Sequence, residues 1–189
     1  MGLDMYMNKK KGVHDHVKVA QFMRARAKFA DDSLRAICHH EKVDIWRPTE
    51  KIIESVMTLV SDMEPALMQE AGLVNFDIDT SNDQEVAYWR KHADLNEYFT
   101  QLYYQKTPPE YQVTEFNCVN LILTKDDLLD LIQKILRELA DPGTEFEVGE
   151  GFFWGETRRE DWLNTLDQLN TIMETTDFEQ ETIYYSCWY

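Results

Sequence analysis

Two stretches of period-two alternation frame this chain and limit what it can fold into. Near the start, Leu3, Met5 and Met7 alternate with Asp4, Tyr6 and Asn8, which is the pattern of a strand with one buried face. At the far end, residues 181–189, ETIYYSCWY, are dense in β-branched and aromatic side chains and should pair into the same sheet. Between them the dominant period is helical. Strands separated by helices of unequal length read as α+β, a small, mainly antiparallel sheet with helices packed on it.

The helical segments follow from their apolar stripes. Residues 15–39 place Val19, Phe22, Met23, Ala27, Ala30, Leu34 and Ile37 at helical spacing, with Lys18, Arg24, Arg26, Lys28 and Arg35 on a basic side. Asp31-Asp32-Ser33 marks a break point within it. Pro48 opens a second helix, a position where proline is tolerated, and Ile52, Ile53, Val56, Leu59, Val60 and Met63 form its stripe. Pro65 kinks that helix or opens a further turn. A third helix is expected over about residues 83–104, burying Val86, Trp89, Ala93, Leu95, Phe99 and Leu102. Residues 117–123 read as a buried strand. Thr124 and Asp127 form a capping box for a helix that ends before Pro142-Gly143. The glycine-bracketed GFFWG, residues 151–155, precedes a last helix over residues 159–174.

The charge is unevenly placed. Of 189 residues, 35 are Asp or Glu and 19 Lys or Arg, for a net charge of −16. Residues 1–51 carry +4 and residues 52–189 carry −20. So acidic a body repels nucleic acid, whose binding requires cations to replace condensed counterions, and favours basic protein surfaces instead. No apolar run reaches the roughly 18–20 residues needed to cross a bilayer. The opening MGLDMYMNKKK inverts the order of a signal peptide, and Tyr6 stands where a myristoylation signal wants Ser or Thr. The three cysteines, Cys38, Cys118 and Cys187, are widely spaced with no CxxC, which fits reduced thiols in a cytosolic protein.

Several pieces occur together in order: MGLDMYM (residues 1–7), YWRKHADLNEYF (88–99), Cys118 within FNCVNLILTKDDL, GFFWG followed by Asp161 and Trp162, and IYYSCW (183–188). With these the chain resembles a family of small uncharacterised proteins of tailed phages and prophages whose members begin MGLDMYL. The resemblance implies a phage origin and expression inside a bacterial host, and it implies no reaction. Similar proteins place a histidine in the YWRK segment where this chain has Asn96. Relative to shorter relatives, residues 13–82 look like a helix-rich insertion within a single domain spanning 1–189.

Candidate chemistry is sparse. Trp89, Arg90 and Lys91 combine stacking with cationic groups, the ingredients of nucleotide contact. With Asn96 and the GFFWG aromatics Phe152, Phe153 and Trp154 they form a candidate ligand site. GFFWG lacks the spacing and the following Lys-Ser/Thr of a phosphate loop, so an aromatic turn filling the core competes with that reading. His14, His16, Cys38, His39 and His40 lack the paired ligand spacing of zinc, and Asp77, Asp79 and Asp83 lack the glycine and closing glutamate of a calcium loop. No nucleophile-elbow, HExxH or Walker pattern occurs, so neither a catalytic residue, a metal nor a cofactor is assigned. The reading the sequence favours is a phage accessory protein in the host cytoplasm. It would bind and modulate a host protein, with an anti-defence role among the options. Asp126, Asp127, Asp130, Glu138, Asp141, Glu145, Glu147 and Glu150 would face the partner's basic cleft. The alternatives are a binder that sequesters or hydrolyses a nucleotide signal, and a homo-oligomer in which basic residues of 1–51 meet the acidic surface of a neighbour.

Overall fold

The computed structural model describes residues 2–73, 76, 80–148 and 157–189. Its fold is α+β. The sheet contains β1 (Asp4–Lys11), β2 (Gln84–Arg90), β3 (Leu121–Leu123) and β4 (Glu181–Trp188) in the order β2-β1-β4-β3. Every neighbouring pair is antiparallel. The two alternating stretches at the ends of the sequence meet as the central pair. Met5 lies between Trp89 and Cys187, and Met7 between Ala87 and Tyr185.

One face of the sheet is covered completely. Leu3 just before β1, Met5 and Met7 of β1, and Ile183 and Tyr185 of β4 have no solvent exposure. They pack with Leu95, Phe99 and Tyr103 of α3 (Ala93–Lys106), Leu128, Leu131 and Ile135 of α4 (Lys125–Ala140), and Trp162, Leu169 and Ile172 of α5 (Arg159–Thr175). Phe99 stacks on Tyr185 with ring centroids 4.1 Å apart. The opposite face is covered only at the β3–β4 end. There Ile122 and Tyr184 meet Val19 and Phe22 of α1 (His16–Glu41), together with Ala71 and Leu73, which follow α2 (Glu50–Glu70).

Beyond that contact α1 and α2 form an arm with its own small core. Cys38, Ile52, Val56 and Val60 are buried against Phe29, Leu34 and Ile37, and Arg26 pairs with Glu64 at 2.7 Å. Since Lys9 of β1 faces Gln84 of β2, residues 12–83 are the connection of a single antiparallel strand pair, and the arm is built into that connection.

Three expectations require correction. Residues 84–90 are strand β2, not the first turns of a helix, and α3 begins only at Ala93. The α1 helix is not divided at Asp31-Asp32-Ser33; Arg35 bonds Asp31 at 2.8 Å one turn back and the helix runs on to Glu41. Within 117–123 only Leu121–Leu123 is strand. Cys118 lies before it with a left-handed φ of 58°, exposed. The α2 helix continues through the exposed Pro65. The capping box stands as expected: the Thr124 hydroxyl accepts from the Asp127 amide, and Asp127 Oδ2 accepts from the Thr124 amide at 2.7 Å.

Glu138 is buried near the end of α4. It accepts from the backbone amides of Gly143 (2.6 Å), Thr144 (3.2 Å) and Glu145 (3.1 Å), so the turn leaving the helix is held by one carboxylate. Glu138→Ala is expected to lower unfolding free energy by about 2–3 kcal/mol, measured by urea denaturation at neutral pH. Glu138→Gln, which keeps one acceptor oxygen, should lose less.

Candidate functional site

The half of the sheet that α1 leaves uncovered carries aligned polar and aromatic rows. Because side chains alternate along each strand, Asp4 and Tyr6 point away from the buried methionines. The register puts Arg90, Asp4 and Trp188 in one row across β2, β1 and β4, and Tyr88, Tyr6 and Ser186 in the next. Trp188 is 53% exposed and Tyr88 41%. The Tyr6 and Tyr88 rings lie 5.2 Å apart. Tyr88 Oη donates to Asp4 Oδ1 at 2.6 Å, and Arg90 Nε lies 3.8 Å from the same oxygen. That hydrogen bond pushes the Tyr88 phenol above its ordinary pKa, so it stays a neutral donor. The result is a platform of two tyrosines, their rings tilted by 45° to one another, a tryptophan and an arginine on a hydrogen-bonded sheet. Large rings with few rotatable bonds make such surfaces suited to contacting a partner or stacking a planar group.

The sequence candidates divide around this platform. Trp89 is buried in the main core and Asn96 is 2% exposed, accepting from Tyr185 Oη at 2.8 Å. Arg90 and Lys91 are exposed. The structure therefore separates Trp89 and Asn96 from Arg90 and Lys91 rather than gathering them. Lys91 adopts a left-handed φ of 61° while its amide donates to Leu3 O at 2.9 Å, and this turn carries the chain from β2 into α3. Phe152, Phe153 and Trp154, and with them all of GFFWG, lie outside the described residues, as do Glu150, Asp77 and Asp79.

Of the acidic candidates, Asp126, Asp130, Asp141 and Glu147 are exposed. Asp130 is 3.5 Å from Tyr98 Oη, and Glu147 accepts from Gln101 at 2.7 Å. The others serve the fold. Asp127 caps α4 and pairs with Lys106, Glu138 holds the turn described above, and Glu145 pairs with Arg137 at 2.9 Å. Burial pushes the Asp127 carboxyl up, but the hydrogen bonds from Lys106 and Thr124 outweigh it and hold the pKa below its ordinary value.

A second polar group lies where α1 leaves the sheet. Lys10 pairs with Asp83 at 3.2 Å, Tyr184 Oη donates to Asp83 at 2.7 Å, and Lys10 Nζ sits 5.9 Å from the Phe76 ring centre. With His14 and Thr182 these line a cavity of about 160 Å³, below the roughly 300 Å³ at which ligand pockets begin. His16 Nδ1 accepts from the Ile122 amide at 3.3 Å, which fixes Nε2 as the donor to Thr107 Oγ1 at 2.8 Å. His39 and His40 stand at the other end of α1, roughly 35 Å away at the helical rise. No cluster of three or more His, Cys, Asp or Glu side chains that could hold a metal is found among the described residues. No helix among them is long and apolar enough to cross a membrane.

Tyr88 was missed in sequence because residues 84–90 read as helix, and Tyr6 and Trp188, although placed in strands, had no neighbouring strand to pair their outward faces with. Once β2 is a strand, simple alternation from Trp89 assigns Tyr88 and Arg90 to the outer face. Compared with protein-family models, curated proteins and solved structures, the chain matches none of them.

The imidazoles make a pH prediction. His16 and His92 are 8% and 3% exposed, and burial lowers each pKa from 6.5 to about 4. The unfolded chain binds these protons more readily. Their contribution is therefore fully present above pH 6.5 and is lost as pH falls towards 4, on the order of 3 kcal/mol for each group. Urea titrations between pH 7 and 4.5 should show this decline, and a variant combining His16→Gln and His92→Gln should be less stable at pH 7 but flatter across the range.

Proposed function

We propose that the protein works by binding another protein. The observation that carries this reading is the platform itself: Tyr6, Tyr88, Trp188 and Arg90 are the residue types in which binding energy concentrates at interfaces, set side by side and partly exposed on a rigid sheet. The net charge of −16 supplies the long-range term, steering the molecule towards a basic surface and raising the rate of encounter. Asp126, Asp130, Asp141 and Glu147 add to that field from the α4 side. The resemblance of MGLDMYM and the pieces that accompany it supports a phage protein acting on a host protein in the bacterial cytoplasm, for which inhibition of a nucleic-acid-handling or defence enzyme is the reading we favour.

A second reading has one observation in its favour. The paired Tyr6 and Tyr88 rings stand beside Arg90, with Lys91 following, so a base could stack while its phosphate meets the cations. Ligands that bind only the folded state raise its melting temperature. Thermal-shift screening against mono-, di- and cyclic nucleotides should show no rise on the protein-binding reading, and a rise abolished by Tyr88→Ala would favour the nucleotide instead.

The expected result for the leading reading is a host protein captured from lysate at low salt and released as salt increases. Trp188→Ala combined with Tyr88→Ala should weaken capture at least tenfold without lowering the far-ultraviolet helix signal. Capture of nothing at low salt, or capture indifferent to both substitutions, would refute it.

A further inference from the structure

We infer that the α1–α2 arm is a self-association surface, and that its occupant is a second copy of this chain lying antiparallel to it. The first reason is an excess of apolar surface. On a helical projection Leu59, Ile52, Met63, Val56, Val60, Ile53 and Met57 of α2 span an arc of about 160°. A single neighbouring helix covers the middle of it, and α1 buries Ile52, Val56 and Val60. The edges of the arc stay in solvent: Ile53 is 48% and Met57 51% exposed on one side, Leu59 42% on the other, and Met63, within the arc but nearer the sheet, is 36% exposed. Lone exposed apolar residues need no explanation, but the i, i+4 pair Ile53 and Met57, with Leu59 at the opposite edge of the same stripe, forms the border of an unfinished bundle.

The tip of the arm points the same way. Trp46 is 86% exposed, yet it is held in place: its amide donates to Asp44 Oδ1 at 3.0 Å, and the Arg47 amide donates to Asp44 O at 2.9 Å. A tryptophan presented on a hydrogen-bonded turn loses little freedom on docking.

Charge identifies the occupant. Within the arm, α1 carries five basic and three acidic side chains, whereas α2 carries five acidic and one basic. Arg24 and Lys28 share a flank of α1 in the half nearer the sheet, while Glu50 and Glu54 flank Ile53 and Met57 in the half of α2 nearer the tip. Two arms laid tip to base about a two-fold axis bring Glu50 and Glu54 of each towards Arg24 and Lys28 of the other, twice, as a self-complementary interface requires. A parallel pairing would set like ends together. The inference does not depend on the platform or on any host partner.

Light scattering after size exclusion, run over a micromolar to sub-millimolar series, tests it with the full chain. The expected mass at the upper end is twice that of the chain. Ile53→Glu with Met57→Glu should give a monomer at every concentration with an unchanged circular dichroism spectrum. Glu54→Lys alone should weaken the dimer about tenfold, and adding Lys28→Glu to it should restore most of the loss, a rescue that a merely structural effect would not produce. Trp188→Ala, on the sheet platform, should leave the dimer intact. A monomer throughout the series, a dimer that survives the Ile53 and Met57 substitutions, or a charge swap without rescue would overturn the proposal.

Discussion

Strand β1 is hydrogen-bonded along both edges, and the rest of the molecule depends on that double pairing. It joins β2 and β4, which are otherwise separated by about half of the sequence, and its Met5 and Met7, with Leu3 just before it, reach the floor of the main core with no exposure. A strand fixed on two sides has little freedom of register. A slip of one residue would exchange the methionines for Asp4, Tyr6 and Asn8. The register shift against β2 between Met7 and Asn8 accommodates the extra residue in β2 without disturbing the pairing to β4. The platform on the outer face is a consequence of the same constraint, because whatever is excluded from the core by alternation must line up on the other side.

Around that strand, buried polar contacts decide how the helices are oriented. Tyr185 of β4 donates to Asn96 of α3, and His16 at the start of α1 bridges the Ile122 amide of β3 and Thr107 at the end of α3. Lys106, one residue earlier, bonds Ile122 O at 2.9 Å and pairs with Asp127 of α4. Each contact satisfies groups whose isolation in a low-dielectric interior would be costly. Each also ties together elements that apolar packing alone would leave free to slide. The end of α3 is thus a junction where α1, β3 and α4 are fixed relative to one another, and the arm projects from a rigid base.

How much of this was legible in sequence depended on whether one periodicity dominated a segment. The two terminal strands, the α4 cap and the extents of α4 and α5 were readable because their apolar spacing is unambiguous, whereas Asp31-Asp32-Ser33 and Pro65 suggested breaks that α1 and α2 do not show. The segment 83–104 was not. Val86, Trp89, Ala93 and Phe99 fall at helical intervals only because a strand of period two runs into a helix after a two-residue turn, and the left-handed Lys91 in that turn is not glycine. Tyr88 between Ala87 and Trp89 was the contrary signal. Buried acids were equally opaque: Glu138 falls on the same stripe of α4 as Leu128, Leu131 and Ile135, and only the returning turn at residues 143–145 reveals why a carboxylate is held there. The platform followed the same logic, since membership depended on a strand assignment that local composition did not favour.

The arm and the platform lie at opposite ends of β1. Asp4 belongs to the platform and Lys11 leads into the arm, seven residue steps later, or roughly 23 Å at the rise of a strand. A partner seated on Trp188 and Tyr88 therefore need not touch α2, and occupation of one surface leaves the other available. Two chains joined through their arms would carry two platforms. For a target that is itself symmetric or polymeric, the second contact is then intramolecular, and its strength is set by the distance between platforms rather than by added contacts. A rigid base for each arm matters here, because effective concentration falls when the spacing between sites is free to vary. If both proposals hold, the buried His16 and Lys106 contacts that hold α1 against the sheet bear on avidity as well as on stability.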